Sequence, residues 1–318
     1  MLQTDFDIKK STTMKIGGRI SRFYAPETID EFVQIIQKEP GAFIAGNLSN
    51  VIISSFGYDG AVISTKKLSN ITVDGTKIIA GAGVRGTKLS KIALDHNLSG
   101  MEFMIAFPGS IGGEVFMNAG AHGQDVSSIL KSAKIYSPEK GLIELSNKEL
   151  EFAYRTSICQ KENYSVLEAE FELTPKLKDE IQTKMNENLS FRKAKQPDLT
   201  LPNCGSTFRN PSGDSAGRLL EAAGVKGLKI GGMQVWENHA NFIVNTGDAT
   251  SLDALQLMYE MYKRVKEKFN IELKPEVIFL GGNNKEEVEI CKILYQKYIK
   301  MQKLPYFVEE CHPKQKYQ

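Results

Sequence analysis

No apolar run in this 318-residue chain is long enough to cross a bilayer. The most obvious uncharged apolar stretch, Phe103 to Gly113, is bounded by Glu102 and Glu114 and interrupted by Pro108. The N-terminal MLQTDFDIKK holds no apolar core of the kind that directs export, so a cytoplasmic location and no membrane insertion are expected. Cysteine is scarce and scattered. Cys159, Cys204, Cys291 and Cys311 show no CxxC spacing, which argues against zinc, iron–sulfur and thioredoxin-like chemistry and for reduced thiols. His96, His122, His239 and His312 show no ligand spacing either, so no metal is expected. Net charge is almost absent: 40 Lys and Arg against 38 Asp and Glu leave +2, which gives no global pull towards nucleic acid. No Gly-Lys-Ser/Thr phosphate loop occurs, and Gly81-Ala82-Gly83 lacks the third glycine of a dinucleotide fingerprint. Internal repeats and low-complexity segments are absent as well.

What is present describes a soluble α+β chain. Apolar residues make up 41% and charged residues 25%, enough to bury a core, and the length allows two or three domains. Thr28 and Glu31 have capping-box spacing ahead of Phe32, Ile35 and Ile36, which predicts a helix. Short apolar runs at Ala42–Ala45, Val51–Ile53 and Ala61–Ile63 predict strands, as do Lys77–Ala80, Ala133–Tyr136, Leu142–Leu145 and Val166–Leu173. Leu89, Ile92 and Ala93 mark a second helix. The charged stretch Lys176 to Lys195 reads as a solvated connecting helix. A third unit holds a helix near Ala216–Ala223 stopped by Gly224, a strand at Asn241–Val244, a long helix capped by Thr250, and a closing strand Val277–Leu280. The expected division is 1–72, 73–175 and 190–281, with 282–318 as a helical C-terminal extension. That extension has seven Lys and five Glu, so it holds all the net positive charge, and Ile290, Leu294, Tyr298 and Met301 form a stripe suited to docking on the body. A partner-binding helix is the alternative use of that stripe.

The glycines are the informative residues. Gly46-Asn47-Leu48-Ser49-Asn50 lies between two predicted strands, where Gly and Asn tolerate left-handed backbone and main-chain N–H groups can cup an anion. An ordinary tight loop fits the same residues. Pro108-Gly109-Ser110-Ile111-Gly112-Gly113, followed by Asn118-Ala119-Gly120-Ala121-His122-Gly123, leaves little side-chain bulk, so a flat ring or a pyrophosphate could approach the backbone, or the glycines could serve turns and bulges alone. Asn203-Cys204-Gly205-Ser206-Thr207-Phe208-Arg209-Asn210-Pro211 sets a Ser on a glycine-flanked turn, although Phe208 rules out a Gly-x-Ser-x-Gly elbow. Cys204 could be a nucleophile or a small semi-buried thiol. Arg155, after Tyr154, could clamp a carboxylate or phosphate or simply lie on the surface, and Glu276 directly precedes a predicted strand.

The order of these motifs resembles one family, UDP-N-acetylenolpyruvoylglucosamine reductase. The resemblance runs from Thr12-Thr13-Met14-Lys15-Ile16-Gly17-Gly18 through GNLSN, PGSIGG with MNAGAHG, FAYRTS, GSTFRNP and Gly231-Gly232 with His239-Ala240-Asn241-Phe242-Ile243-Val244-Asn245, to Leu273-Lys274-Pro275-Glu276-Val277-Ile278-Phe279-Leu280-Gly281. It implies an α+β protein with a two-subdomain FAD-binding fold of the vanillyl-alcohol-oxidase type and a C-terminal α+β substrate domain. By that resemblance Gly46, Asn47, Leu48, Ser49 and Asn50, with Pro108, Gly109, Ser110, Gly112 and Gly113, would wrap the pyrophosphate of noncovalent FAD. Asn118, Ala119 and Gly120 would lie along the flavin.

The chemistry so implied has two halves. NADPH reduces the flavin, and the flavin passes hydride to the enolpyruvyl methylene carbon of UDP-N-acetylglucosamine enolpyruvate in peptidoglycan precursor synthesis. Charge then builds beside the substrate carboxylate, where Arg155 and Glu276 match the family's stabilising pair, and Ser206 matches its proton donor. Tyr154, Asn210 and His239 match substrate contacts by position. Leu48 departs from the pattern, standing where the family's flavin loop usually has Gly. The short interval between Arg155 and Ser206 points to the subtype without an extra substrate-closing loop, and a monomer is expected. A flavin oxidase of the same fold superfamily, or a catalytically silent flavin-binding module, are the competing readings.

Overall fold

The computed structural model describes residues 2–299 apart from Leu199, with side chains as far as Tyr295 in the last helix. Strands β1 (Leu2–Asp7) and β2 (Arg19–Tyr24) lead to helix α1 (Ile29–Lys38), then β3 (Phe43–Ala45), β4 (Val51–Ile53) and β5 (Tyr58–Ser64). The β1-β2-β5-β3 sheet pairs β1 with β2 antiparallel, while β5 runs parallel to both β2 and β3. Thr28 caps α1 as its spacing predicts, accepting from the Glu31 N–H at 3.1 Å; the Glu31 carboxylate, however, reaches back to the Glu27 N–H at 2.8 Å, so the box closes one residue early. Phe32 and Ile36 on the inner face of α1 are buried.

The second layer follows from β6 (Ile71–Asp74), β7 (Lys77–Gly81), α2 (Gly86–Asp95), β8 (Leu98–Ser99), α3 (Ile111–Phe116), β9 (Gly120–Ala121), β10 (Gln124–Asp125), β11 (Leu130–Ser137), β12 (Gly141–Ser146), α4 (Ile158–Lys161), β13 (Ser165–Glu172) and β14 (Thr174–Pro175). Its five-stranded sheet, β12-β11-β13-β7-β6, is antiparallel throughout. The β12 edge alternates between half-buried and exposed positions, whereas central β13 is mostly buried, the pattern expected of an edge and a covered strand.

Helix α5 (Lys178–Lys195) is where the sequence reading needs correcting. Its charge predicts a solvated helix, and most of its length is exposed, yet it buries Ile181 and Met185 against Leu94, Ile105 and Ala106, and Asn188 donates to the Glu102 carbonyl at 2.9 Å. Its apolar face is only two residues wide, so the charged remainder hides it from any periodicity count.

The third unit comprises β15 (Asn203–Ser206), α6 (Ala216–Ala222), β16 (Lys229–Ile230), β17 (Met233–Val235), β18 (Phe242–Asn245) and α7 (Ser251–Phe269). Its antiparallel sheet, β15-β18-β17-β16, is covered by α7, whose capping box joins Thr250 and Asp253. Then β19 (Ile278–Leu280) leaves that sheet altogether and pairs in parallel with β4, in register Ile278 to Val51 and Leu280 to Ile53. Helix α8 (Lys285–Ile299) ends the described chain; Cys291, Leu294 and Tyr295 pack into the core, so the stripe docks on the body, while Met301 and the Tyr298 side chain lie outside the described residues. Among the described residues no helix is long and apolar enough to cross a membrane.

Candidate active site

The β4–β19 pairing gathers the site. Asn50, just before β4, donates from its side chain to the Glu276 carbonyl at 3.0 Å, and its own carbonyl accepts the Ile278 N–H at 3.0 Å. On the other side, Glu276 N–H donates to the Thr207 carbonyl at 2.8 Å, and Phe208 bridges to Pro275. The end of β15, which carries Ser206, and the loop 46–50 are therefore held on the two flanks of one short segment, 274–278.

The two glycine loops also meet. Asn47 donates to the Pro108 carbonyl, and a Cβ at Gly46 would overlap the Ser110 hydroxyl. Ser110 is the N-cap of α3, 2% exposed, and its hydroxyl has no hydrogen-bond partner. The glycines of the PGSIGG run face different ways: a Cβ at Gly112 would come within 2.8 Å of the Ala82 Cβ, while one at Gly113 would meet nothing. Gly112 thus serves packing of α3 against the end of β7, and Gly113 leaves the first turn open. Ser49 is half-buried on the facing loop.

Leu48 takes a left-handed backbone, φ +55°, as Gly would, and turns its side chain into the core with Ile8, Phe43 and Val51. That conformation costs a Leu about 1–2 kcal/mol, a strain its burial offsets. Thr13 anchors the loop from behind, its hydroxyl lying 3.3 Å from the Leu48 carbonyl and 2.8 Å from the Asn203 carbonyl.

Arg155 also has a left-handed backbone, φ +55°, and Gln160 holds its carbonyl at 3.1 Å. The guanidinium donates to the Glu276 carboxylate at 3.1 Å and to the Gly120 carbonyl at 2.8 Å, and it lies 3.5 Å from the Asn118 carbonyl. Asn118 takes part through its main chain only, because its side chain is occupied by Asp125, Ala153 and Ser127. Ala119 is fixed by its N–H to the Glu114 carbonyl at 2.8 Å. Burial pushes the Glu276 carboxyl above its ordinary value, and the Arg155 and Arg209 charges pull it back. A buried carboxylate between two guanidiniums is an electrostatic centre whose charge can be shared with an incoming acid.

Around that pair, Tyr154 is half-exposed, with the Arg155 guanidinium 5.2 Å from its ring centroid and its hydroxyl accepting the Asn210 N–H at 3.4 Å. The Asn210 side chain caps α6 by accepting the Ala216 N–H at 3.0 Å. His239 lies against Gly217 on the same helix, accepts the Asn241 N–H at 3.2 Å on Nδ1 and is kept neutral by burial. Ser206 pairs with Phe242 at a register shift, next to Gly205 at φ +75°, beside which a Cβ would meet nothing.

Cys204 is 1% exposed and its thiol is pushed up to about 12 by burial, so the nucleophile reading fails, and the small thiol is fully rather than partly buried. Sequence reasoning singled out neither Arg209 nor Thr13. The first acts by charge on Glu276, 67 residues further along the chain, and the second acts through carbonyls that no motif displays. Glu114 was missed as well. It is 3% exposed, pressed against Gly86 and Gly109, and neither carboxylate oxygen has a hydrogen-bond partner. Its carboxyl is pushed up to about 8 by burial, which the nearby Gly86 N–H offsets only in part.

Residues 196–280 match a family model for the UDP-N-acetylenolpyruvoylglucosamine reductase C-terminal domain, and residues 21–146 match one for an FAD binding domain. The UDP-N-acetylenolpyruvoylglucosamine reductase of Staphylococcus aureus strain COL is 43% identical over 90% of this chain and 94% of its own length. That of Caldanaerobacter subterraneus subsp. tengcongensis is 41% identical over 86% of this chain and 92% of its own. A crystal structure of the reductase from Thermus caldophilus superposes with a TM-score of 0.76 at 30% identity, covering 88% of this chain and 99% of that one. With the matched domains, the full-length relatives and the fold in agreement, the chain belongs to the UDP-N-acetylenolpyruvoylglucosamine reductase family.

Proposed function

We propose that the chain reduces the enolpyruvyl ether of UDP-N-acetylglucosamine enolpyruvate to UDP-N-acetylmuramate, with noncovalent FAD and with NADPH as reductant, for peptidoglycan precursor synthesis. The observation that carries the reading is the joining of Arg155, Glu276 and the Ser206 turn on one short segment, with the glycine loops on its other flank. The reading carries with it a bacterial cytoplasmic monomer. It assigns 1–72 and 73–175 to the FAD-binding part, 190–281 to the substrate, and 282–318 to an extension.

The residues present fit FAD. The Ser110 hydroxyl is an unpartnered buried donor at the mouth of the Gly46–Asn50 loop, where a Cβ at Gly46 would press on it, and Gly113 leaves the facing turn open. Gly46, Asn47, Leu48, Ser49 and Asn50, with Pro108, Gly109, Ser110, Gly112 and Gly113, would hold the diphosphate, and the 118–120 main chain would border the ring. When bound, FAD accepts two electrons from NADPH and returns them to the enolpyruvyl double bond.

The protein's own task is to stabilise charge and deliver a proton. Arg155 offers a cation fixed by Glu276 and the Gly120 carbonyl, so it need not reorganise when negative charge grows on the substrate carboxylate. Glu276, protonated more readily than an ordinary carboxyl, can share a hydrogen bond with that charge. Ser206 is a weak acid, and it serves only because the carbanion it meets is strongly basic and the glycine turn leaves its hydroxyl accessible. Tyr154, Asn210 and His239 line the approach. An anaerobic spectral titration tests the reading: yellow protein with FAD, bleaching with NADPH, and recolouring with the enolpyruvyl sugar. Bleaching without recolouring by that sugar would overturn it.

A further inference from the structure

The family match stops at residue 280, and helix α8 starts at Lys285, yet α8 is built into the molecule directly behind the candidate site. Tyr295 donates its hydroxyl to the Val277 carbonyl at 2.9 Å, one residue from Glu276. Its ring shares a buried cluster with Cys204 and Phe208, which bracket Ser206, and with Val277 and Phe279, which follow Glu276 into β19. At the other end of the helix, Glu287 is fully buried. Its carboxylate accepts the Ser54 hydroxyl at 2.7 Å at the end of β4 and the Ser251 hydroxyl at the start of α7. Ser55 and Ser251 are cross-linked in turn, N–H to hydroxyl in both directions, at 2.7 and 3.0 Å. One helix therefore grips the strand pair β4–β19, the first turn of α7 and the wall behind the Ser206 turn.

We propose that α8 is a positioning clamp for the reaction, in which Tyr295 and Glu287 fix the segments that carry Glu276 and Ser206 relative to the Gly46–Asn50 loop. Neither residue touches substrate or flavin; each acts through main chain. Burial alone does not require this arrangement, since a docking helix needs only its apolar stripe. A carboxylate wholly removed from water is costly unless its hydrogen bonds are supplied, and here the two serines that supply them belong to separate parts of the fold. The inference rests on the proposed reductase reading for its catalytic consequence, but not for its structural one.

The test uses the full chain with Tyr295→Phe and Glu287→Gln, alone and together. Hydrogen exchange is read first, because it needs no reaction. Amides in 203–208 and 274–280 are expected to exchange about tenfold faster in the double variant. Stopped flow then separates the half-reactions. Bleaching by NADPH should stay within about twofold while reoxidation by the enolpyruvyl sugar slows about five- to tenfold, since small misplacement of reacting groups is felt strongly in rate. Faster exchange confined to 285–299, or both half-reactions falling together in proportion to lost folded protein, would overturn the clamp. An unaltered chain that fails to recolour would instead count against the reductase reading, and the exchange data would still decide the clamp.

Discussion

Glu114 offers the sharpest quantitative test, because its burial, its lack of a partner and its raised carboxyl all describe one site at the root of the PGSIGG turn. An ordinary Glu ionises near 4.5, whereas this carboxyl holds its proton to about 8. Between those values the folded state binds a proton that the unfolded chain has released, so stability falls as pH rises through the window and levels off above it. The gap corresponds to about 5 kcal/mol in full, an upper figure because any relaxation or water entry at Gly86 and Gly109 reduces it. Glu114→Gln keeps the volume and removes the titration. Its amide remains poorly paired, at a cost of about 1–3 kcal/mol that does not vary with pH. The expected result is that the variant's unfolding free energy, relative to the unaltered chain, rises by about 2–5 kcal/mol between roughly pH 5 and pH 9. Urea unfolding followed by far-ultraviolet circular dichroism, at one fixed excess of FAD, measures it. A difference that stays flat across the window refutes the reasoning. So does one that shifts towards the unaltered chain as pH rises, which would mean that the Gly86 N–H and the start of α2 stabilise the carboxylate after all.

Three further expectations concern the site and its loops. Ser206→Ala should leave bleaching by NADPH near normal and slow reoxidation by the enolpyruvyl sugar about 10²- to 10⁴-fold; equal loss in both half-reactions would remove Ser206 from the proton-donor role. Arg155→Lys keeps the charge but cannot span the Glu276 carboxylate and the Gly120 carbonyl together, so reoxidation should fall about 10²-fold with FAD affinity unchanged, as fluorescence titration of the apoprotein would show. Leu48→Gly restores a residue at ease with φ +55° but empties a buried site. The lost packing, about 2–5 kcal/mol, outweighs the strain relieved, so the melting temperature should drop; a rise would show that the strain dominates.

Local chemistry was the legible part of the fold. Thr28 and Thr250 announce their helices because a cap is a contact between residues three apart. Gly224, at φ +71°, stops α6 for an equally local reason. Pairings made across the chain left no such trace. The run Val277–Leu280 reads as a strand, but nothing in it tells that it joins Val51–Ile53 in parallel rather than closing the sheet of its own unit. Helix α5 shows the converse failure, in which two buried residues among many charges carry the packing and the composition conceals them.

The site divides along the same line. Glycine positions were visible, yet their separate uses were not, since Gly112 is shaped by Ala82 and Gly113 by open space, and only the tertiary neighbour distinguishes them. Arg155 and Glu276 stand 121 residues apart, so their pairing could be inferred from resemblance and never from spacing. Leu48 is the instructive departure. By pattern it occupies a glycine's place, and the structure keeps the glycine's backbone angle while using the extra side chain as core. A loop of this kind is defined by its dihedral angles and its exposed N–H groups rather than by residue identity. A substitution that preserves the first and leaves the second uncovered is therefore compatible with the same anion-binding role.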